Sequence, residues 1–119
     1  MTRLIGKLCC LGLLAGLAGI ASGADVQGVL MDKMCSAKAV SGGQKAAAAH
    51  DRECALTTAC QKSGFGVYTS DDKWLTFDAA GNKKALAVLK GSKKADNLKV
   101  TVTGDVTGDT IKVASLKLM

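Results

Sequence analysis

Three cysteines and one histidine in this chain have the residue types and the spacing to bind a metal ion. Cys35, His50, Cys54 and Cys60 lie within 26 residues, and His50 is the only histidine of the 119 residues. Thiolate and imidazole are the ligands that zinc and copper prefer in proteins. On a continuous helix, His50 and Cys54 would share one face because they are four residues apart. These four residues predict a transition-metal site for Zn or Cu.

Helix geometry limits how the four residues can combine. Cys54 and Cys60 are six residues apart, a rise of about 9 Å on a continuous helix. A disulfide needs Cα atoms roughly 4.4–6.8 Å apart, and one metal ion cannot reach both cysteines over that rise. A four-ligand site therefore requires the helix to break near Thr57 and Thr58. Without a break, Cys35 either pairs with Cys54 or Cys60 in a disulfide, or joins His50 and Cys54 around a metal.

The alternative interpretation is a domain stabilised by a disulfide, with no metal. A bridge between Cys35 and either Cys54 or Cys60 would contribute about 2–4 kcal/mol to a small domain in an oxidising compartment. The chain has no Cys-x-x-Cys pair after residue 24, which excludes a thioredoxin-type redox motif and a c-type haem attachment. No second catalytic group accompanies the cysteines, so we expect that the protein is not an enzyme.

The first 24 residues are typical of a secretory signal peptide. Arg3 and Lys7 precede an apolar run that ends at Ile20, and small residues follow up to Ala24, where we place the cleavage site. Cleavage leaves 95 residues in one domain, removes Cys9 and Cys10, and lowers the formal net charge from +6 to +4. We expect a periplasmic or secreted bacterial protein that contacts the membrane only through the uncleaved signal peptide.

The rest of the chain reads as five strands with two helical segments. Residues 25–32 predict a first strand, and residues 44–62 predict a cysteine-bearing helix that ends at Ser63 and Gly64. A hairpin over residues 65–77, a short helix over residues 83–90 and two strands from Leu98 onward follow. The apolar phase slips after Val113, which indicates either a bulge near Ala114 and Ser115 or an edge strand that leaves the sheet. We predict an α+β, mostly β fold: a five-stranded OB-like barrel with the cysteine helix after strand 1 and a short helix before the last two strands. The alternative is an open α+β sheet covered by the cysteine helix.

Two groups of surface residues are further candidates for binding. Trp74 lies on the face of its strand opposite Leu75 and Phe77, so we expect Trp74 to be exposed and to pair with Tyr68 in a candidate surface binding site. Lys83 and Lys84 begin a lysine-rich segment that continues to residue 99. Because an exported protein rarely meets nucleic acid, we expect this segment to be a solvated surface and expect no nucleic-acid partner.

The chain after the signal peptide resembles a family of small exported bacterial proteins without an established activity. The resemblance rests on the element Asp32-Lys33-Met34-Cys35, on Cys54 and Cys60, and on residues 100–111, which read Val-Thr-Val-Thr-Gly-Asp-Val-Thr-Gly-Asp-Thr-Ile. It covers most of residues 26–116 and implies a small exported OB-like domain. It does not decide the ligand.

The sequence thus predicts an exported binding module. Its partner is a transition metal bound through Cys35, His50, Cys54 and Cys60, or, in the disulfide alternative, an unidentified component of the cell envelope.

Overall fold

The computed structural model describes residues 23–119, which form an α+β fold around one closed sheet. The predicted signal peptide therefore lies outside the described residues except for Gly23 and Ala24. The strands are β1 (Ala24–Asp32), β2 (Phe65–Thr69), β3 (Trp74–Phe77), β4 (Lys99–Thr107) and β5 (Thr110–Leu118). The helices are α1 (Ser36–Ala49), α2 (Arg52–Ala55), α3 (Thr58–Ser63) and α4 (Ala79–Gly91), and a 3-10 turn covers Lys33–Cys35. No helix in residues 23–119 is long and apolar enough to cross a membrane.

The sheet closes in the order β1-β2-β3-β5-β4. Strand β1 pairs antiparallel with β2 and with β4, while β3 and β5 form a parallel pair. The predicted bulge is confirmed: Thr103 pairs with Ser115 and Gly104 with Val113, so Ala114 has no partner. This extra residue changes which side chains of β5 face inward, and it explains the slip in the apolar pattern.

Two apolar clusters lie on opposite sides of β1 and β2. The first fills the interior of the closed sheet with residues such as Leu30, Val67 and Ile111. The second lies outside the sheet, where Met31 and Val29 pack beneath the cysteine-bearing segment. Residues 28–32 are all buried for this reason, because both faces of the strand are covered. A strand with one solvated face would alternate between buried and exposed residues.

The cysteine-bearing segment is three helices instead of the one helix that we predicted. Helix α1 begins at Ser36 and contains a kink at Gly43, whose φ of 75° only glycine adopts readily. A first break at His50 and Asp51 separates α1 from α2, and the Asp51 carboxylate caps α2. The predicted weak point at Thr57 is the second break, because its hydroxyl caps α3 and accepts from the Cys60 N–H. Polar side chains that cap a new helix thus compete with continuation of the old one.

Helix α4 begins four residues earlier than the pattern of apolar residues predicted. Its N-cap is Asp78, whose carboxylate accepts hydrogen bonds from the N–H groups of Gly81, at 3.0 Å, and Val113, at 3.1 Å. Partial burial alone would raise the pKa of Asp78, but these N–H donors lower it below its ordinary value of 3.8. One carboxylate therefore fixes both the start of α4 and the position of β5.

We expect Asp78→Ala to lower the free energy of unfolding at pH 7 by about 1–2 kcal/mol, because two N–H groups lose their acceptor. A carboxylate whose folded pKa is depressed stabilises the fold above the unfolded pKa, and this contribution disappears as the pH falls through the folded pKa. The difference between wild type and variant should thus shrink when urea unfolding is repeated at a pH below 3.8, the ordinary pKa of this carboxyl. The exposed Asp96 supplies a control, since Asp96→Ala should change stability by less than about 0.5 kcal/mol. An equal loss for Asp78→Ala at both pH values would contradict this account.

Candidate metal centre

The buried carboxylate of Asp32, at the end of β1, organises the cysteine-bearing segment. Its Oδ2 atom accepts a hydrogen bond of 2.9 Å from the Cys35 N–H and so caps the 3-10 turn. Its Oδ1 atom lies 2.7 Å from Nε2 of His50. The Asp32 side chain is fully buried and the His50 side chain is 7% exposed. The turn that carries Cys35 and the break that carries His50 therefore meet at one carboxylate.

The contact between Asp32 and His50 is electrostatic more than it is a well-directed hydrogen bond. Neither Oδ1 of Asp32 nor Nε2 of His50 has a hydrogen-bond partner with acceptable angles, although both atoms are buried. Burial alone would raise the pKa of Asp32. Contacts with His50, the Cys35 N–H and the Cys60 thiol outweigh this effect of burial and hold the pKa of Asp32 at about 2. Asp32 is therefore an anion at neutral pH.

The structure brings the three cysteines together. The Sγ atoms of Cys35, Cys54 and Cys60 all lie within 4.8 Å of one another. Cys35 and Cys60 are buried, whereas Cys54 is partly exposed. The expected separation of Cys54 and Cys60 applied to a continuous helix, and the break near Thr57 that a shared site requires is present. All three are free thiols, so the described residues contain no disulfide.

His50 joins a different group from the one that its spacing predicted. Its ligand atom lies within 4.8 Å of Asp32 and Cys35, in a second set of three groups that also suits a metal ion. The expected shared helical face of His50 and Cys54 is absent, because His50 sits in the break before α2 with extended backbone angles. Cys35 belongs to both sets and links His50 to the other two thiols.

The sequence pattern did not identify Asp32 as a ligand or as a support for the cysteines. The available signal was the Asp-x-x-Cys spacing, which lets an aspartate at the end of a strand cap the turn that carries the cysteine. Its pairing with His50, 18 positions away in the sequence, depends on the path of α1 and has no local signature.

Cys35 and Cys60 are protonated at neutral pH in the metal-free site. Burial, together with the negative charge of Asp32 and the neighbouring Cys54, raises the pKa of Cys35 to about 12. The Thr57 hydroxyl acts to lower the pKa of Cys60, but burial and Asp32 outweigh it and raise the value. A metal ion must therefore displace the protons of Cys35 and Cys60 here.

A cleft of about 350 Å³ opens beside the site. Cys54 and His50 form part of its wall, together with Met31 below them and Lys38 and Asp51 near the rim. An ion or a small molecule can therefore reach the cysteine cluster from the side of Cys54.

The other predicted surface residues lie apart from this cleft. Lys83 and Lys84 are exposed on α4, as predicted for a solvated surface. Tyr68 pairs with Trp74 across β2 and β3, as expected, but it is 2% exposed and donates to the Asp72 carboxylate, so its ring is not available as a binding surface. Trp74 is half-buried and packs against the outer apolar cluster that also includes Cys35 and Cys60. The only tryptophan of the chain is therefore placed to report on the site by its fluorescence.

No protein-family model, curated protein or solved structure matches the chain.

We expect Asp32→Ala to lower the free energy of unfolding of the metal-free protein by about 2–3 kcal/mol, because the buried Cys35 N–H and the His50 ring lose the carboxylate that they contact. Urea unfolding followed by Trp74 fluorescence measures this. Asp25→Ala is the matched control on the exposed half of β1, where the carboxylate accepts from the Thr103 hydroxyl. The control should lose less than about 1 kcal/mol. Equal losses in the two variants would show that Asp32 does not organise the segment.

Proposed function

We propose that the protein binds one thiophilic metal ion, Zn²⁺ or Cu⁺, through the thiolates of Cys35, Cys54 and Cys60. The observation that carries this proposal is the mutual approach of the three sulfur atoms to within 4.8 Å. Bonds of about 2.3 Å around one zinc ion place tetrahedral sulfur ligands about 3.8 Å apart. The sulfurs therefore need to close by about 1 Å at most to surround an ion.

His50 is our candidate for the fourth ligand. A ring nitrogen of His50 lies within 4.8 Å of the Cys35 sulfur but not within 4.8 Å of all three sulfurs, so the ring would move toward the thiol cluster on binding, and Asp32 Oδ1 contacts its Nε2. A carboxylate beside the far nitrogen of a metal-bound histidine fixes the tautomer and orients the ring. His50 would then bind the ion through Nδ1, and Asp32 would support the histidine while its other oxygen accepts from the Cys35 N–H.

A bound ion would take the place of the thiol protons and become part of the folded structure. Three thiolates beside the Asp32 carboxylate carry several negative charges in a buried place, and a cation offsets them. Because the ligands come from the end of β1, α2 and α3, one ion would join three elements that few backbone hydrogen bonds connect. Binding should therefore stabilise the fold as well as fill the site.

We further propose an exported OB-like domain, as the signal peptide and the family resemblance suggest. The strand order with a parallel β3–β5 pair and a helix between β3 and β4 supports the OB-like assignment. In this proposal the protein is a metal-binding module of the periplasm or of the extracellular space, without enzymatic activity. A structural domain of the envelope that interacts with an unidentified partner is the alternative, and it predicts no stoichiometric metal.

Titration of the reduced, purified protein with Co²⁺ and with Zn²⁺ tests the metal site. We expect one ion per chain, thiolate-to-cobalt charge-transfer absorption, and a change in Trp74 fluorescence. Each of Cys35→Ser, Cys54→Ser and Cys60→Ser should weaken binding by at least about tenfold, and His50→Ala by a similar factor. The control is Met34→Leu, which removes an exposed thioether beside Cys35 and should leave affinity unchanged.

Two results would contradict the proposal. Three free thiols with no bound ion at micromolar metal would remove the metal function altogether. Binding that survives every cysteine substitution would place the ion elsewhere. If His50→Ala alone binds the ion as tightly as wild type, the three thiolates are the ligands and His50 is not the fourth one.

A further inference from the structure

The three thiols of the cluster differ in how easily a small molecule can reach them. Cys35 is 8% exposed and Cys60 is 4% exposed, whereas Cys54 is partly exposed and forms part of the cleft wall. A reagent that enters the cleft therefore meets the sulfur of Cys54 first. The other two sulfurs lie behind it, within 4.8 Å.

The backbone around the cluster also differs in how firmly it is held. Cys35 follows β1 directly, and the Asp32 carboxylate fixes its N–H. Cys54 and Cys60 lie on helices of four and six residues that are joined through Leu56 and Thr57. A disulfide requires the two sulfurs to approach to about 2.05 Å. The pair on the two short helices can make this approach without displacing a strand of the sheet.

We infer that Cys54 undergoes thiol–disulfide exchange with an anionic low-molecular-weight disulfide, and that Cys60 resolves the product into a Cys54–Cys60 disulfide. The exchange itself does not require the proposed function. Its consequence does: because the same sulfurs bind the metal, the metal-loaded form and the disulfide form are alternative states of one cluster.

The exchange balances as two substitutions at sulfur. The Cys54 thiol loses its proton, and the thiolate attacks one sulfur of the small disulfide; a mixed disulfide forms and one small thiolate leaves. The Cys60 thiolate then attacks the Cys54 sulfur and expels the second small thiolate. The released protons convert the two thiolates to thiols. The protein loses two electrons, the small disulfide gains them, and Cys35 remains a thiol.

We expect an anionic disulfide because Lys38 is the lysine that lines the cleft, although Asp51 at the rim and the buried Asp32 are acidic. Lys38 lines the cleft and makes no ion pair with any residue from 23 to 119. Asp51, the acid at the rim, accepts a hydrogen bond of 2.7 Å from the Cys54 N–H, which partly offsets its charge. Glutathione disulfide, with its carboxylates and net negative charge, is a suitable probe of this class.

Peptide mapping distinguishes the possible products. The reduced, metal-free protein is incubated with glutathione disulfide, quenched with an alkylating agent at successive times, and digested with trypsin. Cleavage at lysine and arginine places Cys35 in the peptide of residues 34–38, and both other cysteines in the peptide of residues 53–62. We expect glutathione on Cys54 first. We then expect residues 53–62 as one peptide two hydrogen atoms lighter, with Cys35 alkylated.

Variants test each step. Cys60→Ser should accumulate the mixed disulfide on Cys54, and Cys54→Ser should slow consumption of glutathione disulfide by at least about tenfold. Cys35→Ser should still form the disulfide. Lys38→Gln should slow the first step by about twofold or more at low salt, whereas Lys45→Gln, on the same helix but not lining the cleft, should not.

Glutathione on Cys35 or Cys60 first, a crosslink between the two peptides, or no reaction of the native protein would each overturn the inference. A second arm adds one equivalent of Zn²⁺ before the disulfide. Protection of all three thiols supports the alternative states. If Zn²⁺ does not protect the thiols and the thiol–disulfide exchange still occurs, the result counts against the metal site and supports the exchange.

Discussion

The carboxylate of Asp32 is the interaction on which the cysteine-bearing half of the molecule depends. It lies at the end of a strand that is buried on both faces, and it contacts the backbone of Cys35 and the ring of His50. A buried anion is costly unless several polar groups surround it. Three short helical pieces, none of them stable alone, are therefore folded around a charge that the sheet presents at a fixed position.

The same arrangement explains why the site is both ordered and easily changed. Cys35 and His50 are tied to the end of β1 through Asp32, whereas Cys54 and Cys60 belong to helices too short to be rigid units. A metal ion would connect those helices to the sheet, whereas a disulfide would connect them to each other. The three cysteines of the cluster fit this choice. A disulfide between Cys54 and Cys60 leaves Cys35 as a thiol, and reduction of that disulfide restores all three ligands.

Sequence patterns predicted the sheet better than they predicted the helices. The strands, the hairpin between β2 and β3 and the bulge at Ala114 follow from alternation of apolar residues, a local signal. The cysteine-bearing segment has high helix propensity throughout, yet it breaks at His50 and again at Thr57. Caps by Asp51 and Thr57, together with burial of the segment against β1 and β2, outweigh a propensity of a few tenths of a kcal/mol per residue.

The same breaks decide what the candidate site is. Rise along a continuous helix predicted that Cys54 and Cys60 lie apart and that His50 and Cys54 share a face, and both expectations are reversed once the helix is interrupted. The residue types were sufficient to identify Cys35, His50, Cys54 and Cys60 as a set of soft and imidazole ligands. How that set divides, with Cys35 common to the thiol cluster and to the group with Asp32 and His50, depends on contacts between distant residues. Only folding of the segment onto the end of β1 brings them together, so the chemistry of the cluster is a property of the sheet as much as of the cysteines.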